Sequence, residues 1–392
     1  MNNKIFLYLH FIFLNIISFG WICAIPIMVE HLNSTLGNNS YFFQFVLIST
    51  IIGLVFNLFF GRLLDKKDSR IVLFIGLTFN LLFWILLSLF ENYYLILLAF
   101  VFEGISFSAL LISRAPYFYD LISKIKNKEY YEKIEANSKI GMIALTIFLF
   151  LLSGYLYSIN ENIPFIINSI FVLFTFFMVL SYINIDLKVK KEITEIKPSL
   201  LNDLKTIFYN NKQLFYLTFS EGFFAALTPY LFFFLNVHLI SNGADVLFIS
   251  YLASIMYFFR IIGAFLIKKF NNVKLLMISF IILITLMILI SKFNIVYIIS
   301  GLFLLSSIFK EYIEIYLITE VTKQSPENLK GTVRSFSEII SNIGIIFLMI
   351  FTTFFVDLFS SNFLMLFYSG LFTLCFYFLY KYKHYYKLNS TF

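Results

Sequence analysis

Apolar stretches of about twenty residues, parted by short polar breaks, follow one another along nearly the whole chain. A helix rising about 1.5 Å per residue needs that length to cross a hydrocarbon layer about 30 Å thick. The pattern predicts twelve spans. They cover Ile5–Val29, Tyr41–Leu64, Arg70–Leu89, Tyr93–Tyr119, Ser138–Ile159, Pro164–Ile185, 214–239, 245–267, 273–291, 295–319, 333–356 and 362–380. Pro26 stands near the end of span 1, and a polar loop, Glu30–Ser40, follows it. The longest polar interval, 186–212, parts a bundle at 1–185 from a second at 213–380 and reads as a central linker. Within it Ser199–Tyr209 carries leucines and Phe208 at helical spacing, which predicts an amphipathic interfacial helix. The last stretch, 381–392, is basic and is expected to lack structure.

Charge turns this series into a topology. With alternating spans, one face receives Lys4, Lys66, Arg70, the Lys124–Lys139 stretch, the central linker, Lys268, Lys269, Lys274, Lys323, Lys330, Arg334 and the tail. The opposite face receives essentially only Lys292. Basic loops stay cytoplasmic, so both termini and the linker are expected there, in a multi-pass protein of the cell membrane. The net charge of +7 is thereby accounted for without nucleic acid.

Composition excludes the soluble classes. The chain is 60% hydrophobic and only 13% charged, with a mean hydropathy of +0.88, where a soluble domain carries about 25% charge. Alternating ten-residue strands of a membrane barrel are missing. The 54 Phe and 25 Tyr accompany abundant Ile, Asn and Lys, a bias that an AT-rich genome produces by itself. Cys23 and Cys375 both lie inside apolar runs and suggest no disulfide framework. Span 1 is too long for a signal-peptide core and is expected to remain in place.

Between spans 2 and 3 the chain reads Gly-Arg-Leu-Leu-Asp-Lys-Lys-Asp-Ser-Arg from Gly61 to Arg70. So short a charged connection forces spans 2 and 3 antiparallel. Gly61, Leu63, Asp65, Lys66 and Arg70 fit a pattern in which Asp68 replaces a second glycine and Ser69 a basic residue. In this the chain resembles the major facilitator superfamily of secondary transporters, over essentially its whole length. The resemblance implies an all-α membrane fold of about twelve helices in two six-helix pseudo-repeats. A degenerate second copy of the motif, Gly263 to Lys274, follows span 8, and Ser106, Arg114 and Asp120 share one offset with Ser306, Glu314 and Glu320. It also implies a cytoplasmic gate at Gly61, Asp65, Lys66, Arg70 and Asp120, with Asp65 facing the start of span 11 near Thr332 to Arg334 and Arg70 meeting Asp120.

Ionisable groups inside spans are costly and therefore candidates for function. They are Glu103 and Arg114 in span 4, Glu221 in span 7, Arg260 in span 8, and Lys310, Glu311 and Glu314 in span 10, with His10 in span 1 more often an interfacial residue. In the resembled family spans 1, 4, 7 and 10 line the central cavity, and all but Arg260 fall on these. Glu103, Arg114, Glu221, Lys310, Glu311 and Glu314 are accordingly expected to share one polar chamber. Glu103 and Arg114, three turns apart, share a helical face, although Arg114 also reads as a structural tie. Lys310 and Glu314, at i and i+4, either neutralise each other or serve substrate, while Glu311 points about 100° away. Glu221 is either a proton-coupling carboxylate or a neutral, hydrogen-bonded structural acid.

No metal spacing, phosphate-binding loop, nucleotide fingerprint or catalytic triad occurs, so neither cofactor nor enzymatic activity is expected. The helix-5 Gly-Pro signature of many proton-linked drug exporters is missing beside Gly141 and Gly154, which weighs against drug efflux. The expected function is secondary transport of a small molecule by a monomer, with protons as the candidate coupling ion. The competing classes are a polytopic acyl- or glycosyl-transferase, for which the loops are short and Lys-rich, and a transport-fold sensor, which would carry a further soluble domain.

Overall fold

A computed structural model of the chain describes all residues except 1–2, 19–23, 25, 39, 67, 126–130, 184–210, 271, 326–329, 357 and 390–392. The described residues form helices and turns without strands. The helices are α1 (Asn3–Ser18), α2 (Met28–Leu36), α3 (Ser40–Lys66), α4 (Ser69–Leu89), α5 (Tyr93–Ile125), α6 (Tyr131–Ile159), α7 (Ile163–Ser181), α8 (Lys212–Ser241), α9 (Val246–Lys269), α10 (Val273–Ile290), α11 (Val296–Gln324), α12 (Lys330–Phe355) and α13 (Ser361–Asn389). Among them, eleven are long and apolar enough to cross a membrane, and Phe6–Ile17 is a shorter apolar helix. In hydrocarbon every backbone group must be satisfied within the segment, which is why these apolar runs adopt no other form.

Four boundaries differ from the sequence reading. Span 1 is not one helix: α1 is described to Ser18, Ala24, Pro26 and Ile27 are turn residues, and α2 runs from Met28, near the end of the expected span, through most of what reads as a polar loop. Proline has no amide hydrogen to continue a helix but fits where one begins. Pro26 lies in the turn before α2, where the amides of Ile27 and Met28 both return to the Ala24 carbonyl at 3.1 and 2.8 Å. Gly37, at φ 76°, ends α2 by donating its amide to Asn33. Both described ends of the basic Lys124–Lys133 interval are helical, since α5 runs to Ile125 and α6 begins at Tyr131. The tail expected to lack structure continues α13 to Asn389. It is anchored where the Tyr382 hydroxyl meets Gln324 Nε2 at 2.6 Å and Glu320 Oε1 at 3.3 Å. Ser199–Tyr209 and nearly all of the central linker lie outside the described residues.

Contacts divide the chain into two units, Met1–Glu192 with Val246–Ser254, and Ile193–Asp245 with Ile255–Phe392. In the first, α5 packs against α3 and α4, α4 against α7, and α1 against α6. In the second, α8 packs against α13, α12 and α11, and α10 against α11 and α13. Lipid tails are as apolar as leucine, so helices in a membrane associate through close packing and polar contacts. Both units use the same device. A Cβ on Gly104 of α5 would strike the Ser49 carbonyl of α3, and one on Gly263 of α9 would strike the Ile308 carbonyl of α11. Spans 2 and 4, and again 8 and 10, thus cross where only glycine fits.

Candidate functional site

The crossing at Gly263 assembles the charges of the second unit. A Cβ at Gly263 would also lie 2.9 Å from Glu311 Cβ, so the close approach brings the acidic turn of α11 against α9. One turn before Gly263, Arg260 places Nε 2.5 Å from Glu311 Oε2 and Nη2 3.8 Å from Glu314 Oε2. The guanidinium carbon also stands 5.1 Å from the centre of the Tyr257 ring, one turn away on α9. Lys310, on the adjacent position of α11, donates to the Thr228 carbonyl of α8 at 2.9 Å. Thr228 precedes Pro229, which removes one hydrogen bond from the α8 ladder, so a cation meets an α8 carbonyl beside the proline. Arg260, Lys310, Glu311 and Glu314 together sum to zero charge. Opposite signs in equal number lower the cost of placing four ionisable groups on two spans, α9 and α11, where each alone costs about 2.5–3.5 kcal/mol at a helix centre.

The pairing differs from the one expected. Lys310 reaches α8, and Arg260 takes Glu314 together with Glu311. Residues at i and i+3 also share a helical face, and the planar fork of arginine spans two carboxylates where an ammonium meets one point. Arg260 is the centre of this network and does not belong to spans 1, 4, 7 or 10. Its signal, an arginine in an apolar run, was plain in the sequence; its rotation toward α11 was not.

In the first unit, Glu103 sits beside Gly104, and its carboxylate accepts a hydrogen bond from the Ser49 hydroxyl across the α3–α5 crossing. The carboxylate-bearing fourth helix therefore meets a polar group of the second helix in both units, Ser49 in one and Arg260 in the other. Arg114 is half-buried on α5, two residues before Pro116, and Asp120 is half-buried near the end of that helix. His10 is fully buried, with Nε2 2.9 Å from the Tyr117 hydroxyl of α5. It is a packed core residue joining α1 to α5.

At the Gly61–Arg70 connection Asp68 does the work that a sequence pattern built on glycine conceals. Its side chain caps α4 by accepting from the Arg70 amide at 2.9 Å, and it holds the Arg70 guanidinium at 2.5 Å. Arg70 then donates to the carbonyls of Tyr182 and Ile183, at 3.2 and 2.7 Å, at the end of α7. A cation over these last carbonyls is favoured by the negative end of the helix dipole. Gly61 lies within α3, with open space where a Cβ would be. The side chains of Asp65, Lys66, Thr332 and Arg334 lie outside the described residues.

Glu221 is 3% exposed on α8. Next to it Gly222 lets α12 approach, since a Cβ there would be 2.6 Å from the Ser337 carbonyl, and on its other side Ser220 donates to the Cys375 carbonyl of α13 at 3.3 Å. Of the six expected chamber residues, the structure brings Lys310, Glu311 and Glu314 together. Glu103 and Arg114 belong to the first unit, Glu221 to the second. Among the described residues, no group of three or more His, Cys, Asp or Glu could hold a metal ion.

The family profile described as Major Facilitator Superfamily matches residues 11–347. Among solved structures, the nucleoside transporter NupG superposes with a TM-score of 0.74 at 16% identity, covering 97% of this chain and 99% of that one. The D-xylose–proton symporter gives 0.75 at 12% identity, over 97% and 98%. A bacterial homologue of the human lysosomal transporter Spinster gives 0.69 at 13%, over 97% of each. No curated protein matches the chain.

Proposed function

Because the chain belongs to the Major Facilitator Superfamily, whose members carry solutes across membranes, we propose that this secondary transporter moves a small polar molecule by alternating access and draws on a proton gradient. The observation that carries this reading is the Arg260–Lys310–Glu311–Glu314 network. Adding Arg260 to the intramembrane groups gives three cations (Arg114, Arg260, Lys310) against four carboxylates (Glu103, Glu221, Glu311, Glu314). The network neutralises itself, so the surplus carboxylate falls to Glu221 or Glu103. A carboxylate inside a span can alternate between its neutral and ionised forms, which is what coupling requires. Glu221, wedged where α8 meets α12 and α13, is our choice, with Glu103 second.

One structural neighbour is by name a proton symporter of a pentose and another a nucleoside transporter. Neutral polar metabolites with several hydroxyls are therefore the first substrates to test. Purified protein would be melted against panels of nucleosides and sugars and, for comparison, amphipathic cations. A substrate stabilises the folded state by mass action, so the melting temperature climbs with the logarithm of its concentration above Kd. Stabilisation by the cations alone would replace this substrate class with a drug-like one.

In our reading the two six-helix bundles work as one monomer, and the Gly61–Arg70 connection, with Asp65, Lys66 and Asp120, gates the cytoplasmic face. The charge bias puts both termini and the linker in the cytoplasm. A fluorescent protein fused to the C-terminus is expected to be bright in cells, and a cysteine at Asn38 to react with an impermeant maleimide from outside. External labelling at Lys191 instead would reverse the orientation.

A further inference from the structure

At the end of the first unit opposite Arg70, α2 rests on the α6–α7 hairpin through a histidine. His31 is 3% exposed. Its ring lies 4.4 Å from the centre of the Phe165 ring of α7 and 6.1 Å, edge-on, from that of Tyr157 of α6. Nδ1 makes no hydrogen bond among the described residues and points toward the carboxylate of Glu161, 4.0 Å away in the α6–α7 turn. Glu161 is itself largely exposed, and Glu30, the preceding residue of α2, is near enough to feel its charge. Glu30, Tyr157 and Glu161 are thus the titratable groups that α2, α6 and the α6–α7 turn present to the imidazole. Met28, Val29 and Leu32 complete the buried face of α2.

We propose that His31, facing Glu161 and flanked by Glu30, is a proton-binding site that fastens α2 to the α6–α7 hairpin while neutral and releases it on taking up a proton. The site lies outside the spans, at the face that the charge bias makes external. Its ligand is the hydrogen ion of the medium, independent of whatever solute is carried. The release follows from packing. A neutral imidazole fits between two aromatic rings, whereas an imidazolium there loses its water and gains no hydrogen-bonded carboxylate, Glu161 standing 4.0 Å away.

Burial holds the His31 imidazole down to about 4, from an ordinary 6.5. The docked form therefore binds fewer protons than the released form across this interval. Docking is at full strength above the ordinary value and weakens as the pH falls toward the depressed one. Glu30 works the other way: burial, and then the charge of Glu161, raise its carboxyl, so its proton uptake favours the docked form. Wild type consequently shows the difference between the two, and Glu30→Gln shows the histidine alone.

The test is amide hydrogen exchange of Met28–Leu36 in the full-length protein in detergent, corrected for the intrinsic pH dependence of exchange. Between pH 7.5 and 5, opening of α2 is expected to rise about 30-fold in Glu30→Gln and somewhat less in wild type. His31→Gln, with or without Glu30→Gln, should remove the rise. If His31→Gln does not fold, Glu161→Gln serves instead. It withdraws the charge that raises the Glu30 carboxyl, so less opposes the histidine and α2 should open more on acidification than in wild type. Flat protection in Glu30→Gln, an unchanged rise in His31→Gln, or no steeper rise in Glu161→Gln would each overturn the proposal.

Discussion

Replacing Glu221 with glutamine is expected to abolish uphill accumulation of substrate while leaving substrate binding and downhill exchange measurable. The amide has the shape of the protonated acid and cannot release a proton, so it fixes the carboxylate in one of its two states. The fold should tolerate the change. Glu221 is almost fully buried, and its turn of α8 is held by the close approach at Gly222 and by the Ser220 hydroxyl, neither of which the substitution touches. The measurement is accumulation ratio in proteoliposomes under an imposed pH gradient, beside counterflow without one. Accumulation should fall to unity with counterflow retained. A variant that still accumulates substrate with unaltered pH dependence would remove Glu221 as the coupling site and pass the role to Glu103, testable by the same exchange to glutamine.

The second large effect is on stability. Arg260→Ala should destabilise the second unit by about 3 kcal/mol, toward the lower end of what breaking a buried ion pair costs, because the side chains of Arg260, Glu311 and Glu314 retain 24%, 17% and 31% exposure. Most of the loss is the cost of leaving two carboxylates without their cation. Adding Glu311→Gln and Glu314→Gln to Arg260→Ala should therefore restore most of the lost stability, whereas Lys310→Met added to Arg260→Ala should deepen the loss. Thermal melts of the purified variants decide this. Equal melting temperatures for Arg260→Ala and for the triple variant would show that packing of the guanidinium against Tyr257, and not its charge, carries the effect.

The spans were legible because hydrocarbon leaves a backbone one helical solution, so an apolar run of sufficient length states its own structure. Where that logic gave no signal, the reading went astray. The break before Met28 falls in an apolar stretch where Gly20 and Pro26 are the marks, and a proline near a helix end reads equally as an end or as a fresh start. The tail looked unstructured because it is basic, yet α13 persists since Tyr382 finds Glu320 and Gln324 on α11. Candidate site residues were visible one by one as charges in apolar runs. Their partners were not, because pairing across helices depends on the rotation and spacing set at Gly263, where backbone meets backbone. Spacing along α11 suggested Lys310 with Glu314; the helix packed against it supplied Arg260 instead. Asp68 shows the same limit on a smaller scale. Set against a glycine it reads as a departure, and only its contacts with the Arg70 amide and guanidinium reveal a helix cap.

The central claim is that a solute and a proton move together, and reconstituted protein tests it with a pH-sensitive dye inside the liposomes. Once the melting screen names a substrate, adding it across an imposed pH gradient is expected to speed the collapse of that gradient in wild type, in proportion to the substrate moved, and to have no effect on liposomes carrying Glu221→Gln. Substrate that equilibrates across the wild-type membrane at the same rate and to the same level with and without the gradient, with no change in internal pH, would contradict it.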